Sequence, residues 1–261
     1  MWAGVVTIFP DMFRALTGEG VVARAIADGR LALNVINPRD YASDRRRSVD
    51  DHSYGGGPGM VMTVAPLSDA VNAARVSAPG PLTTVYMSPQ GRRFDQAMAE
   101  ELAGLDNLLF VAGRYEGVDE RFVQREVDLE LSLGDFVMTG GELAVMAVLD
   151  ALARLLPGTL GNPASTVSES FADNLLDYPH YSRPPEYRGM RVPSVLLSGD
   201  HAAIARWRRA QALARTWRRR PDLLVNRVLC AEDRELLRQY LAETGLGEKG
   251  PEEKGLGAKA E

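Results

Sequence analysis

Four short apolar runs, WAGVVTIF, LALNVIN, LTTVYM and NLLFVA, recur between Met1 and about Leu156, each bounded by polar or turn-forming residues. Runs of this length, rich in β-branched and aromatic side chains, predict buried strands. Between them, VAPLSDAVNAARV and FDQAMAEELAGL carry apolar residues at helical spacing. Strands alternating with helices predict an α/β fold with a mostly parallel sheet covered on both faces. The crevice at the carboxyl ends of such strands is where a ligand is expected. A strong helix in GELAVMAVLDALARLLPG stops at Pro157-Gly158, and TLGNPASTVSES after it is small, polar and poor in apolar residues. That composition predicts a mobile linker. IARWRRAQALARTWRRRPDLL and CAEDRELLRQYLAE then predict helices, and GLGEKGPEEKGLGAKAE a low-complexity tail. The division expected is therefore an α/β domain over 1–157, a linker over 158–172, a small helical domain over 173–245 and a disordered tail over 246–261.

Composition adds little to this pattern, since 45% hydrophobic and 25% charged residues describe an ordinary folded chain. The N-terminus has no basic stretch before its apolar run and reads as a strand, not a signal peptide. No apolar stretch approaches bilayer length, which predicts a cytoplasmic protein without a membrane partner. The lone cysteine, Cys230, excludes an internal disulfide and a thiolate-rich zinc site.

Charge changes the picture more. The net charge is −5, yet ten arginines lie between Arg183 and Arg220 against only Glu186 and Asp200. Such a block suits a phosphate-binding surface. It also suits a solvated helix face.

Glycine-rich runs adjoin the strands: YGGGPGM at 54–60, SPQGRR at 88–93, GRYEGVDER at 113–121 and SLGDFVMTGGE at 132–142. Glycines at strand ends let backbone approach a ligand and present amide groups to it. No GxGxxG turn follows the first strand and no GxxxxGK[ST] occurs, so dinucleotide and P-loop binding lose their usual support. The three histidines are far apart, which removes metalloprotease-type spacing.

MWAGVVTIFPDMF, PRDY with DRRRSVDD, YGGGPGM, YMSPQGRRFDQ, GRYEGVDER, the LGDFVMTGGE run, LLDYPHYSRP and RWRRAQALARTWRRRPDLL together resemble the TrmD family, the tRNA (guanine-N(1))-methyltransferases. The resemblance runs in order from Met1 to roughly Leu224. It implies a SPOUT-type fold with a deep trefoil knot, and a homodimer whose active site lies between subunits. It implies S-adenosyl-L-methionine as methyl donor, magnesium as a further requirement, and tRNA as substrate. The product implied is 1-methylguanosine at position 37, just 3′ of the anticodon.

Carried onto this chain, the donor site comprises Tyr86, Ser88 and Pro89, then Gly113 and Glu116, then Leu133, Gly134, Asp135, Phe136, Val137 and Met138 with Gly140 and Gly141. Glu116 meets the amino group of the methionine arm or helps to organise magnesium. For the transfer itself, N1 of guanine holds a proton at neutral pH, so a base must remove it while a cation stabilises charge on the guanine oxygen. Arg154 matches the family's electrostatic arginine. The base position falls on Glu169, where the family pattern reads Asp before the Ser-Phe pair. Glu keeps the carboxylate and shifts it by about an ångström, which matters where geometry is tight. Asp173 and Asp177 are the alternatives, Asp177 more as support for its own turn. A catalytically weak RNA-binding paralogue is the other reading that this departure opens. Arg183, Arg188, Arg191, Arg208, Arg215, Arg218, Arg219 and Arg220 are the expected tRNA contacts. Tyr181 and Trp207 stack on bases or pack the small domain, and His180 touches RNA or completes a turn.

Overall fold

The computed structural model describes residues 1–161, 169–225 and 227–245. Two compact units emerge, Met1–Pro163 and Ala164–Glu261. The tail expected over 246–261, and the middle of the expected linker, 162–168, lie outside the described residues.

The first unit is built on five parallel strands: β1 (Trp2–Val6), β2 (Ala32–Ile36), β3 (Thr83–Arg93), β4 (Asn107–Ala112) and β5 (Leu129–Ser132), in the order β2-β1-β4-β3-β5. All six residues of β4 are buried, as a strand covered on both faces requires. Side chains alternate between two cores. Ala3, Val5, Val85, Leu108, Phe110 and Ala112 join one, with α1 (Gly20–Ala27), α3 (Gln96–Ala103) and α5 (Glu142–Leu155) supplying Val22, Met98 and Leu149. Val6, Tyr86, Leu109 and Val111 join the other, with Leu67 and Val71 of α2 (Val64–Ser77) and Phe122 of α4 (Glu120–Glu126). Helices therefore lie on both faces, as the alternating pattern predicts.

Strand β5 and helices α1 and α4 are additions to the expected set. In LELS the leading Leu-Glu pair is half-exposed and the strand lies at the sheet edge, so neither alternation nor a buried run announces it. Among the described residues of the second unit, α6 (His201–Arg219) and α7 (Ala231–Glu243) pack Leu213, Ala214, Leu236, Leu237 and Leu241 together with Leu175. Asp200 caps α6, its carboxylate accepting from the backbone N–H groups of Ala202 and Ala203 at 3.0 Å each. Thr216 ties the chain before α6 onto that helix, its hydroxyl accepting from Leu176 N–H at 2.8 Å.

Candidate active site

Three loops at the carboxyl ends of β3, β4 and β5 converge on one cleft in the first unit. The first arises inside β3: pairing with β5 breaks between Met87 and Arg92, and Leu131 faces both ends of the break. Residues 88–91 are thereby looped out, which delivers Ser88 and Pro89 to the cleft. Gly91 permits this, because a Cβ there would lie 2.4 Å from the backbone of Glu130 and Leu131.

The second loop follows β4, and the third leads from β5 into α5. They are joined directly: Gly141 N–H donates to Gly113 O at 2.9 Å, and Arg114 bridges to Gly140. A Cβ on Gly141 would stand 2.9 Å from Ala112 Cα and 3.0 Å from Gly113 N, so only glycine allows the two loops this close. Tyr86 lies against Gly113, 8% exposed, and burial foremost, then the charge of Glu130, pushes its phenol up to about 12. The ring is thus a neutral wall of the cleft.

Glu116 is the one carboxylate that lines the cleft among the described residues. Its backbone N–H donates to Met60 O at 2.9 Å, and its side chain rests on Gly59, where a Cβ would collide with it. The glycine run at 54–60 therefore supports Glu116 and does not itself line the cleft. Of the thirteen donor-site residues implied by resemblance, the cleft gathers twelve; Asp135 is exposed and outside the lining. Phe136 N–H donates back to Gly134 O at 2.9 Å, a tight turn centred on Asp135. Phe136 and Val137 stand 54% and 86% exposed at the rim.

Beneath the cleft lies a polar lattice that no local pattern announces. Glu142, in the first turn of α5, is fully buried and accepts from Thr7 Oγ1 and from Arg114 Nε, both at 2.8 Å. Arg114 also donates to Thr139 O at 3.2 Å, and Phe9 covers its guanidinium at 4.5 Å from the ring centroid. The pair fastens the second loop, the third loop and the end of β1 together. A carboxylate in a first helical turn also faces the positive end of the helix. Tyr115, left-handed at φ 61°, lines the cleft next to Arg114. Burial, followed by the charge of Asp50, raises its phenol.

Arg154 is half-buried in the last turn of α5. In the second unit, Glu169 shares a pocket with Asp173, Asp177, Tyr178, Arg208 and Arg209. Asp173 accepts from Arg209 at 3.0 Å and from Arg227 at 2.7 Å. Burial raises its carboxyl, and the bonds from Arg227 and Arg209 outweigh that and hold it below the ordinary value. So engaged, Asp173 makes a poor proton acceptor. Asp177 accepts from Tyr178 N–H at 2.7 Å and pairs with His180 Nε2 at 2.8 Å, which is the local support expected of it.

The expected tRNA contacts divide by their partners. Arg220 forks onto Asp222, Arg191 pairs with Glu186, and Arg208 and Arg188 cover the rings of Tyr178 and Tyr187. Among the described residues Arg183, Arg215, Arg218 and Arg219 make no ion pair, and Arg218 and Arg219 are exposed on the last turn of α6. Trp207 and Tyr181 face each other at 6.4 Å between ring centroids.

Residues 1–226 match the family described as tRNA (Guanine-1)-methyltransferase TrmD. The chain belongs to the TrmD family. Its relatives include the tRNA (guanine-N(1)-)-methyltransferase of Vibrio cholerae, 54% identical over 94% of this chain and 99% of that protein. The proteins of the same name from Nitrosococcus oceani and Aliivibrio salmonicida are 57% and 55% identical, covering 92% and 93% of this chain and 95% and 98% of their own lengths. In this TrmD chain the cleft also uses residues outside the motif-derived set, among them Arg114, Tyr115, Ser132 and Thr139. Arg114 and Tyr115 stand inside GRYEGVDER, so their placement at a glycine-rich strand end was the available signal. Glu142 closes the SLGDFVMTGGE run, but its pairing with Arg114, 28 residues away, follows from no local pattern.

Proposed function

We propose that this chain transfers the methyl group of S-adenosyl-L-methionine to N1 of guanine 37 in tRNA, forming 1-methylguanosine just 3′ of the anticodon. The observation that carries the reading is the three-loop cleft of a TrmD-family chain at the carboxyl edge of a parallel sheet, where such folds bind ligands. Its chemistry fits the donor. Gly113, Gly140 and Gly141 let the loops close on one another and line the cleft with backbone, Leu133, Phe136, Val137 and Met138 give apolar walls, and Glu116 offers one carboxylate for an ammonium group. When bound, the donor supplies an electrophilic sulfonium methyl.

The chain's own residues then handle a proton and a charge. Glu169 accepts the N1 proton of guanine, which makes that nitrogen nucleophilic, and Arg154 offsets negative charge on the guanine oxygen. Arg183, Arg188, Arg191, Arg208, Arg215 and Arg218 to Arg220 make the second unit a phosphate-binding arm, a helical domain joined by the linker. Family resemblance further supports a knotted SPOUT topology, a homodimer and a cytoplasmic location. Exposed Phe136, Val137 and Leu143 agree with a surface that a partner covers. Among the described residues no helix is long and apolar enough to cross a membrane.

Magnesium fits less well. Among the described residues no three His, Cys, Asp or Glu side chains converge to hold a metal ion. Glu116 alone supplies a carboxylate in the cleft, so magnesium, which keeps waters and binds through one or two carboxylates and ligand oxygens, enters no step here.

Incubation with tritiated S-adenosyl-L-methionine and a tRNA transcript carrying guanosine at position 37 tests the reading. Label should enter this transcript and not one carrying adenosine there. Tight tRNA binding without label would support the RNA-binding paralogue instead. Label in ribosomal RNA and none in tRNA would reassign the substrate.

A further inference from the structure

The turn that follows Glu169 is an unusual piece of backbone. Phe171, Asp173 and Asn174 hold φ values of 74°, 54° and 52°, three left-handed residues of which none is glycine. Asn and Asp tolerate this region, whereas Phe does so at a cost. Such a turn persists only where its surroundings over-determine it. Two local hydrogen bonds close it, from Phe171 N–H to Leu175 O at 2.6 Å and from Asn174 N–H to Phe171 O at 3.1 Å. Ser170 Oγ accepts from Asp177 N–H at 3.0 Å, and Leu175, 4% exposed, is sunk into the core of the second unit.

Asp173 at the apex belongs to a four-residue lattice. Arg209 of α6 splits its guanidinium, donating from Nη1 to Asp173 at 3.0 Å and from Nε and Nη2 to Asp233 of α7 at 2.8 Å and 2.6 Å. Arg227 donates to the same Asp173 oxygen at 2.7 Å and stands 3.9 Å from Asp233. Asp233 is 5% exposed and Arg227 17% exposed at its side chain, so the base of the lattice is screened from water. Arg209 sits inside the arginine-rich block yet spends its donors on carboxylates, unlike exposed Arg218 and Arg219. The planar fork that suits phosphate suits two carboxylates equally.

We propose that Asp173, held by Arg209 and Arg227, is a positioning residue that fixes the turn directly after Glu169, so that the linker carboxylate is presented from the packed pair α6 and α7. The inference rests on the reading of Glu169 as the base. Because Asp173 lies four residues beyond Glu169, releasing it frees the turn without touching the donor cleft of the first unit.

Single-turnover methylation of the tRNA transcript by the full chain tests this with Asp173→Asn, Glu169→Gln and the double variant. Asp173→Asn should slow transfer about 10- to 100-fold, the scale of a misplaced catalytic group. Its KM for S-adenosyl-L-methionine should be unchanged, and Asp173→Glu should recover part of the rate. The double variant should be no slower than Glu169→Gln alone, because Asp173 acts through Glu169. Multiplying losses, or an Asp173→Asn rate equal to the unaltered chain, would overturn the proposal. An unaltered rate in Glu169→Gln would instead sink the base assignment, and loss confined to Asp173→Asn would make Asp173 the base. Should Asp173→Asn lose its native melting transition, Arg227→Gln, which leaves Arg209 on Asp173, is put through the same cycle: losses multiplied in the Glu169→Gln background overturn the proposal, and a loss absent there upholds it.

Discussion

Replacing Glu142 with glutamine removes half of the lattice under the cleft. The side chains of Glu142 and Arg114 are 0% and 17% exposed, and they meet at 2.8 Å. Breaking a buried pair by removing one partner costs about 3–5 kcal/mol, because the other charge is left uncompensated. Arg114 keeps its bond to Thr139 O and its cover by Phe9, and glutamine still offers one oxygen, which places the cost near the lower end, about 3 kcal/mol. For a unit of this size each kcal/mol moves the melting temperature about 2–4 °C, so a fall of about 6–12 °C is expected. Thermal unfolding followed by circular dichroism reads it directly. Thr7→Val deletes the hydroxyl's charge-assisted bond to the Glu142 carboxylate, worth about 1.5–3 kcal/mol, together with the bond it accepts from Phe9 N–H, and should fall by about 3–12 °C. Combining Glu142→Gln with Arg114→Met should cost less than the sum of the two, since the pair is lost once. A Glu142→Gln melt within 2 °C of the unaltered chain, or strict additivity, would refute the reasoning.

Gly140→Ala would bring a Cβ against the Arg114 guanidinium. Donor affinity measured by calorimetry should fall at least about tenfold, roughly 1.4 kcal/mol, while the tRNA salt dependence stays the same. Asp173 and Asp233 both ionise below the ordinary 3.8. A carboxyl lowered in the folded state contributes stability that is complete above its unfolded value and lost as pH falls through the lowered native one. Unfolding of the second unit should therefore steepen below about pH 4, and Asp233→Asn should flatten that limb in an acid titration followed by tryptophan fluorescence. Replacing Arg218 and Arg219 with Ala should weaken tRNA binding and make the log-log salt slope shallower by about one per lost phosphate contact. Arg220→Ala should change it less, because Asp222 already holds that guanidinium.

The inner strands were legible because burial on two faces writes itself as apolar runs: WAGVVTIF, LTTVYM and NLLFVA became β1, β3 and β4, whereas LALNVIN, read as a buried strand, became the edge strand β2, in which only Ile36 is buried. Leu129–Ser132 escaped because an edge strand with a half-exposed glutamate carries neither signal. The glycine loops were legible as composition and, through resemblance, as a donor site, and the cleft gathers all but Asp135 of that set. What could not be read was any contact made across the chain. Thr7 and Glu142 are 135 residues apart, Arg227 and Asp173 54 apart, and neither pairing follows from local periodicity. Those same contacts decide which carboxylates are engaged, and so why Asp173, an alternative base by sequence position, is an anchor in the structure.

Digestion of the methylated transcript to nucleosides, followed by mass spectrometry against authentic standards, tests the central claim most directly. One methyl group per tRNA is expected, carried as 1-methylguanosine and mapping to position 37. A methyl group on ribose, on another guanine nitrogen or at another position would contradict it.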